Sequence, residues 1–494
     1  MVIPEKEDLL KKGSKGVKFV KCWPAVIFFG FFIFLVGINL RYAPSWGLMD
    51  DAQNLEMAKT VWQSGSPLQS LWGLVTQSLL SWGIFWPVYY TWVIFVYHVF
   101  SEMPLAIYIL ITILNFISIY LWGVVFYRLF SAPKENFYLS VFLFPLLFSV
   151  FTPFWNIFLY ISVQQKFVLF FTALSLCFME KAYSLEKNKY LIFSFLALLG
   201  GIFGHPEGIY LCAAYIVFSI SDILFFRYKK RISVVNLSIN SVFFLVYYIF
   251  TTGIQMKGVY SSKYKNNLNT ESLMLNFSET SAIVKTLLIL ACGMLIYMVI
   301  QVLRKKNTFQ PSAIIIPLGI LSYLAVLLPW GFPNYHISLL APHLFGLFFL
   351  IYLWACRWKL LSFSVNAMII PALVAMSFFY VGIPRIQKSS EIKLAEGFLK
   401  EFGLKNPQDF YFIPRPCAEA AGAIKYFTGI NIAYLGDGKL SQDLLNDRFQ
   451  NYLVMRDECP EAILENVKVK EEIYRNSTWN IVNILGEDGH NEVY

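Results

Sequence analysis

Two adjacent carboxylic acids, Asp50 and Asp51, follow the first long apolar segment of a chain in which charge is scarce. They end the stretch Trp46-Gly47-Leu48-Met49-Asp50-Asp51, and Glu56 follows on the same predicted helix. A partly desolvated acid pair is expected to separate in proton affinity, which suits one member to act as general base on a hydroxyl. The same residues also fit a structural role, because Asp50 with Gln53 three residues later resembles a helix capping box.

The composition indicates what kind of protein must hold these acids. Of the 494 residues, 57% are hydrophobic and 14% are charged, whereas ordinary soluble domains have about a quarter charged residues. Apolar runs of about 18–20 residues recur along the chain, and each is long enough to span a membrane as a helix. The chain is therefore predicted to be a polytopic α-helical membrane protein. The net charge of +9 is spread over short loops, which argues against a nucleic-acid-binding surface.

The order of the apolar runs predicts the topology. About eleven spans are expected, at about 24–40, 105–127, 138–152, 167–180, 190–203, 209–226, 234–253, 282–303, 313–330, 337–354 and 363–381. Basic residues occupy alternate loops, which places the N-terminal tail, residues 1–23, and those loops in the cytoplasm. The apolar stretch 68–100 must then cross the membrane either zero or two times. We prefer zero crossings, with helices half-buried in the outer leaflet, and two would raise the total to about thirteen.

The predicted spans divide the chain into a transmembrane module, residues 24–381, and a polar C-terminal region, residues 382–494. The module includes an outer loop, residues 41–104, with a surface helix that opens at the acids and ends before Gly65 and Pro67. In the C-terminal region, alternating apolar runs at 410–413 and 452–455 predict strands, and a short helix is expected from Ala418 to Phe427. A small extracytoplasmic α/β domain is therefore expected. Its two cysteines, Cys417 and Cys459, either pair or stay reduced.

Other outer segments carry polar side chains that could meet a substrate. One turn between two spans reads Gly204-His205-Pro206-Glu207-Gly208, and another contains Gln164, Gln165 and Lys166. A later turn carries Tyr335 and His336. The outer loop 254–281 has a basic and aromatic cluster that comprises Lys257, Tyr260, Lys263, Tyr264 and Lys265. Lysine and histidine in these places could bind an anionic group through charge-assisted hydrogen bonds. Each segment also fits a simpler interpretation as a solvated turn or loop.

Two ionisable residues within the spans have structural explanations. Asp222 lies near the cytoplasmic end of a span, close to Arg227, and is expected to snorkel toward the interface. His343 lies deeper in a late span, where a histidine that packs between helices is the expected role.

Taken together, an acidic pair after the first span, surface helices, a polytopic core and an outer C-terminal domain resemble the GT-C glycosyltransferase superfamily. The stretch from Trp46 to Glu56 matches the acidic signature of that family, with Asp50 aligned to its catalytic acid. Residues 83–90, Gly-Ile-Phe-Trp-Pro-Val-Tyr-Tyr, resemble the aromatic segment that ends its first outer loop. The resemblance covers the architecture of the whole chain, whereas the motifs are confined to these short stretches.

The chain also departs from the family pattern at three places. Phe85 and Trp86 stand where relatives often have a basic residue before the proline. His205 stands in the turn where many members carry a lysine that contacts the donor phosphate. Asn334 replaces an arginine, although the following Tyr335 matches. These departures concern the phosphate-binding part of the family's site and leave the acidic signature intact.

The resemblance implies transfer of a sugar from a polyprenyl-phosphate carrier to an extracytoplasmic acceptor, with inversion at the anomeric carbon. Asp50, or as second choice Asp51, would be the general base. The donor phosphate would be bound by His205, Lys263, Lys265 and His336. The substrate-lining residues would be Glu56, Tyr89, Gln164, Gln165, Glu207, Tyr260, Tyr264 and Tyr335.

In its length and in the sequence Trp-Gly-Leu-Met-Asp-Asp, the chain is most similar to bacterial and phage serotype-converting O-antigen glucosyltransferases. That likeness implies undecaprenyl-phosphate-glucose as donor, a lipopolysaccharide O-antigen unit as acceptor and no nucleic-acid partner. It also implies the bacterial inner membrane as location, with a periplasmic C-terminal domain. Some members of the superfamily use a divalent metal, but two adjacent acids without a third ligand do not define a metal site, so the cofactor stays open.

Two functions from other classes are also compatible with a polytopic chain. A lipid or saccharide transporter, or flippase, would show pseudo-symmetric halves and a polar path through the bundle, and the sequence displays neither. A non-catalytic membrane scaffold would use its outer domain to bind a partner and would need no acid at position 50.

Overall fold

A computed structural model describes most of the helical part of the chain. The described residues are 24–34, 36–37, 40–41, 51–100, 103–131, 137, 141, 164–254, 270–279, 282–304, 309–328, 343, 346 and 383. The backbone of five strands between residues 410 and 484 is described as well. Within these ranges the polypeptide outside the strands is almost entirely helical.

Twelve helices lie in the described ranges. They are α1 (Pro24–Phe34), α2 (Asp51–Gln63), α3 (Pro67–Trp82), α4 (Pro87–Val99), α5 (Pro104–Leu129), α6 (Gln165–Leu185), α7 (Lys189–Gly204), α8 (Ile209–Ser221), α9 (Lys230–Gly253), α10 (Thr270–Glu279), α11 (Ala282–Leu303) and α12 (Ile315–Leu327). A 3-10 turn, Pro206–Gly208, precedes α8, and a π-helical turn, Asp222–Phe226, follows it. A second 3-10 turn, Pro311–Ile314, leads into α12.

Five described segments are long and apolar enough to cross a membrane, namely Leu105–Leu129, Gln165–Leu185, Pro206–Phe226, Lys230–Thr251 and Val284–Leu303. Three shorter apolar helices are Pro24–Phe34, Lys189–Gly204 and Pro311–Leu327. On α9, Val242, Leu245 and Ile249 share one face and are each about 60% exposed, which is typical of a lipid-facing surface. The predicted helical architecture is therefore confirmed, with five candidate membrane-spanning helices among the described residues. The predicted spans at 138–152, 337–354 and 363–381 lie outside the described residues apart from single positions.

Close packing of α6 against α7 depends on glycine. A Cβ atom added at Gly204 would lie 2.8 Å from the Cβ of Phe167, and one added at Gly200 would lie 2.7 Å from the Phe171 ring. Small residues on one helix let a second backbone approach closely inside a membrane. The consequence for the site is that the C-terminal end of α7 lies directly beside the first turn of α6.

A hydroxyl cluster fixes the middle of the same helix pair. Ser175 on α6 and Ser194 on α7 each donate a hydrogen bond to the other's backbone carbonyl, both at 2.9 Å. The Ser175 hydroxyl also lies 2.9 Å from the Tyr215 hydroxyl on α8. Interhelical hydrogen bonds of this kind contribute about 0.6 kcal/mol each in membranes and fix the register more than the stability.

Several loops that the sequence placed on one side meet at one end of the bundle, here called the basic end. Arg128 in the last turn of α5 forms an ion pair with Glu180 on α6 at 3.3 Å, and Gln310 donates to the same glutamate at 3.4 Å. Lys229, before α9, pairs with Glu186, after α6. The four basic loops in the described part of the chain therefore share an end, as the predicted topology requires, and the loop with Arg357 and Lys359 lies outside the described residues.

The prediction that Asp222 snorkels to the interface is wrong. Its side chain is fully buried and accepts hydrogen bonds from the backbone N–H groups of Tyr228 at 2.8 Å and Lys229 at 3.2 Å, and from the Ser233 hydroxyl at 2.5 Å. The π-helical turn and the left-handed Arg227 (φ 52°) bend the chain back. Asp222 therefore accepts from the backbone N–H groups of the two residues directly before α9.

The surface helix predicted to open at the acids is α2, and it ends at Gln63, before Gly65. Asn54 on α2 donates to the Tyr89 hydroxyl on α4 at 3.1 Å, and the Trp62 indole donates to the Ile94 carbonyl at 3.1 Å. The Trp62 ring also stacks on His98, with centroids 4.0 Å apart. These contacts show that α2 and α4 run in the same direction side by side.

One helix occupies a region that the sequence analysis treated as loop. Helix α10 lies within the outer loop predicted at 254–281. Glu271 in its first turn complements the helix dipole. The Asn276 amide donates to the carbonyl of Leu328, directly after α12, at 3.0 Å. Short amphipathic helices of this kind depend on such tertiary contacts, and a hydropathy profile does not reveal them.

The C-terminal region contains five strands: β1 (Phe410–Pro414), β2 (Asn431–Leu435), β3 (Asn451–Arg456), β4 (Val469–Arg475) and β5 (Trp479–Ile484). They form one sheet in the order β2-β1-β3-β5-β4, in which β2, β1 and β3 are parallel and β5 and β4 are antiparallel to their neighbours. Strands β1 and β3 coincide with the two alternating runs. Parallel neighbours require crossover connections. The helix predicted from Ala418 to Phe427 falls in one of these connections, outside the described residues, as do Cys417 and Cys459.

Candidate functional site

The end of the bundle opposite the basic end, here called the Lys166 end, contains buried ionisable side chains. Lys166 in the first turn of α6 is fully buried, and Gln165 beside it is 5% exposed. His205 and Glu207, in the turn between α7 and α8, are 8% and 5% exposed. Lysine and glutamate are almost never fully buried unless they are paired. Such a group at one end of an apolar bundle is a candidate for a functional site.

The turn between α7 and α8 forms because Pro206 starts a 3-10 turn after an extended residue. His205 has φ −160° and ψ 135°, and residues 206–208 then turn the chain back. A Cβ atom at Gly208 would lie 2.9 Å from the backbone nitrogen of Ile202, so only glycine lets the turn pack on the last turn of α7. This geometry brings His205 and Glu207 to the same side.

Glu207 connects this turn to a distant helix. The Tyr323 hydroxyl on α12 donates to the Glu207 Oε2 at 3.0 Å. The same carboxylate oxygen lies 3.7 Å from the Nδ1 of His205, within the range of an ion pair. The carboxylate is therefore held between a hydroxyl donor and an imidazole.

A series of side-chain contacts leads from His205 to the helix that starts at the acids. The Trp86 ring lies 5.2 Å from the His205 ring and 6.0 Å from the Tyr89 ring, between centroids. Tyr89 in turn accepts the hydrogen bond from Asn54 and contacts Phe167 with a centroid distance of 6.4 Å. Asn54 lies one helical turn from Asp51, the first residue of α2.

The site residues predicted from the sequence therefore fall into three groups. The structure brings Tyr89, Gln165, His205 and Glu207 together at the Lys166 end, and it places Gln164 at the N-terminus of α6. Asp51 and Glu56 belong to α2. The others lie outside the described residues: Asp50, Tyr260, Lys263, Tyr264, Lys265, Tyr335 and His336.

Three residues of this cluster were not assigned to the site from the sequence. Lys166 was noted only as part of a polar turn, although its complete burial separates it from a solvated loop residue. Asn54 is one polar residue among several on an amphipathic helix. Tyr323 stands alone in an apolar run, so its sequence carries no signal that it meets Glu207. A buried lysine and an imidazole could bind an anionic group, and the Trp86 and Tyr89 rings could pack on a sugar.

His343 has the packing role that was expected. Its Nε2 lies 2.8 Å from the Tyr210 hydroxyl, and the ring packs edge-to-face on Trp122 and Tyr210. A Cβ atom at Gly319 would lie 2.4 Å from the His343 Cε1. This histidine therefore fills a space that the missing side chain of Gly319 leaves between helices.

Replacing Gly204 by alanine tests whether the glycine contact positions the site. The added methyl group meets the Cβ of Phe167, which cannot rotate away, so α7 must move from α6. We expect the protein to lose about 1–3 kcal/mol of stability, as overpacked cores do. Thermal unfolding of the purified protein measures this loss. Gly293→Ala is the matched control, because nothing lies within 4 Å of its added Cβ. Equal unfolding temperatures for the two variants would contradict the packing account.

Comparison with known proteins adds no family assignment. No protein-family model matches the chain, and no curated protein matches it.

Proposed function

We propose that the chain is a membrane glycosyltransferase that moves a sugar, specifically glucose, from undecaprenyl phosphate to an extracytoplasmic glycan such as O-antigen. The observation that carries this proposal is the contact path from α2, through Tyr89 and Trp86, to His205. It links the helix that begins at the acidic pair with a buried group of ionisable residues. The proposed reaction needs a base for the acceptor and cations for the donor phosphate within one site, and a contact path between α2 and the buried group supports such a site.

In the proposed reaction Asp50, or as second choice Asp51, takes the proton from the acceptor hydroxyl. The resulting oxygen attacks the anomeric carbon of the donor sugar. The new glycosidic bond forms as the bond from that carbon to the phosphate oxygen breaks, with inversion, and polyprenyl phosphate leaves with the electron pair. His205, together with Lys263, Lys265 and His336, would stabilise the charge that develops on the leaving phosphate. The buried Lys166 joins this cationic group in our proposal.

The proposed topology places the Lys166 end outside and the basic end in the cytoplasm of a bacterial inner membrane, with the C-terminal domain in the periplasm. Helix α4 has 13 residues, so it measures about 20 Å at 1.5 Å per residue. The hydrocarbon core is about 30 Å thick. Because α4 also packs along the surface helix α2, we propose that the stretch 68–100 does not cross, which supports a total of about eleven spans.

Expression in a bacterium that makes both O-antigen and undecaprenyl-phosphate-glucose tests the function. We expect the mass of the O-antigen repeating unit to rise by one hexose, measured by mass spectrometry of the isolated polysaccharide. The same strain without the enzyme that makes the lipid-linked glucose is the control and should show no increase. An unchanged O-antigen despite abundant protein in the membrane would count against the proposal. Movement of intact lipid-linked sugar across the membrane would favour a flippase instead.

A further inference from the structure

We propose that Glu207 is a positioning residue: its carboxylate, held by Tyr323, orients His205 so that the Nε2 edge of the imidazole binds a lipid phosphate. This inference rests on the proposed function for the identity of the phosphate, which is that of the polyprenyl donor. In this inference Glu207 acts on His205 and does not contact the sugar, whereas the sequence predicted that it lines the substrate.

The geometry of the pair supports this assignment. The Nδ1 of His205 lies on the ring edge that faces the Glu207 carboxylate, 3.7 Å from Oε2. The Nε2 lies on the other edge of an imidazole, so it is directed away from the carboxylate. Hydrogen bonds of catalytic groups are often long before the substrate binds. A carboxylate partner on one ring nitrogen fixes which nitrogen is presented to a ligand.

The protonation chemistry agrees with a phosphate ligand. A carboxylate only accepts hydrogen bonds, so Nδ1 must carry a proton to interact with Glu207. A neutral ring would then have an unprotonated Nε2, which cannot donate to a phosphate oxygen. In this inference the ring therefore binds phosphate as the imidazolium, with one N–H toward Glu207 and the other toward the phosphate oxygen. The ring also keeps the carboxylate and the phosphate apart, which limits their repulsion.

The surroundings of the pair hold it in place. Trp86 lies against the imidazole with an interplanar angle of 37°, and the Tyr323 hydroxyl reaches Glu207 from a helix more than a hundred residues away. Among the described residues, the buried ionisable side chains on the neighbouring elements include Tyr89 on α4, Lys166 on α6, Tyr210 on α8 and Tyr323 on α12. Trp86 therefore holds the imidazole of the pair, and Tyr323 holds its carboxylate.

A buried ion pair by itself seldom stabilises a protein. The desolvation of the two charges costs about as much as their attraction returns, and apolar replacements are often neutral or stabilising. The chain nevertheless places this pair between the aromatic rings that contact α2 and the first turn of α6, which carries Lys166. A role toward a ligand explains this placement better than a role in stability.

Binding of undecaprenyl phosphate to the full-length protein in lipid nanodiscs tests the inference. We expect Glu207→Gln and His205→Gln each to weaken binding about tenfold, which corresponds to about 1.4 kcal/mol. Because Glu207 acts through His205, the double variant should bind no more than twofold more weakly than His205→Gln alone. Glutamine still accepts the Tyr323 hydrogen bond, so this variant removes the charge and keeps the packing.

Two further variants keep the test decisive. Tyr323→Phe should weaken binding of undecaprenyl phosphate about threefold. This variant replaces Glu207→Gln in the test if Glu207→Gln accumulates poorly in the membrane. Glu180→Gln is the matched control, because Glu180 is equally buried and ion-paired but lies at the basic end. It should bind within twofold of the wild type.

The outcomes separate this inference from the proposed function. Additive losses in the double variant, or wild-type binding by both Glu207→Gln and Tyr323→Phe, would overturn the inference. A wild-type protein that does not bind undecaprenyl phosphate would overturn it as well. A wild-type protein that binds the lipid phosphate in the predicted manner but transfers no sugar would leave the inference intact and refute the glycosyltransferase.

Discussion

Replacing Asp50 by asparagine is expected to lower the rate of sugar transfer by about 10²- to 10⁴-fold, the usual contribution of a positioned general base. The amide cannot take a proton from the acceptor hydroxyl. Asparagine is as good an N-cap as aspartate, and α2 begins at Asp51, so the helix itself should be preserved. The measurement is the transfer rate in membranes that contain equal amounts of the wild-type and variant proteins.

Two controls separate catalysis from capping. Asp50→Ser retains an N-cap side chain and cannot act as a base, so it should be as inactive as Asp50→Asn. Asp51→Asn should retain at least about a tenth of the activity if Asp50 is the base. Full activity of Asp50→Asn would show that the first acid has only a structural role, and strong loss in Asp51→Asn alone would move the base to the second acid.

Replacing Asp222 by alanine is expected to destabilise the bundle by on the order of 3 kcal/mol, because a single buried hydrogen bond to a charged group contributes about 1.5–3 kcal/mol. The carboxylate accepts from the N–H groups of Tyr228 and Lys229 and from the Ser233 hydroxyl. Alanine leaves these three donors without that acceptor, and the Ser233 hydroxyl among them is buried. Thermal unfolding of the purified protein and its abundance in membranes measure the loss.

Two other variants calibrate this result. Asp222→Asn keeps one acceptor oxygen and the size of the side chain, so an intermediate loss is expected. Glu186→Ala removes a carboxylate from the same end, but that side chain is largely exposed, and an exposed ion pair contributes only about 0–1 kcal/mol. If Asp222→Ala unfolds at the same temperature as Glu186→Ala, the capping role of Asp222 is wrong.

The helices of the bundle follow from the sequence because hydropathy and charge act locally. The apolar runs at 105–127 and 282–303 became α5 and α11 with nearly the predicted bounds, since a helix is how an apolar run satisfies its own backbone in a membrane. Loop charges likewise predicted which loops meet at the basic end. His343 was expected to pack between helices, and it does.

The parts that the sequence did not predict depend on contacts between distant residues. The Tyr323 hydroxyl meets Glu207 across 116 positions of the chain, and no periodic pattern encodes such a pair. Asp222 was misplaced because snorkelling is inferred from depth alone, whereas the π-helical turn directs two backbone N–H groups at the carboxylate. Lys166 appeared as one residue of a polar turn, and only its burial distinguishes it.

The most direct test of the central claim is acceptor-dependent release of lipid phosphate by the purified protein. The full chain is reconstituted into liposomes with undecaprenyl-phosphate-glucose labelled in the sugar and with lipid-linked O-antigen units. We predict that the label moves to the O-antigen while free undecaprenyl phosphate appears in equal amount, and that Asp50→Asn abolishes both. If the label stays on its lipid carrier with both the wild-type and the Asp50→Asn proteins, although the O-antigen acceptor is present, the assignment of this chain as a glycosyltransferase is contradicted.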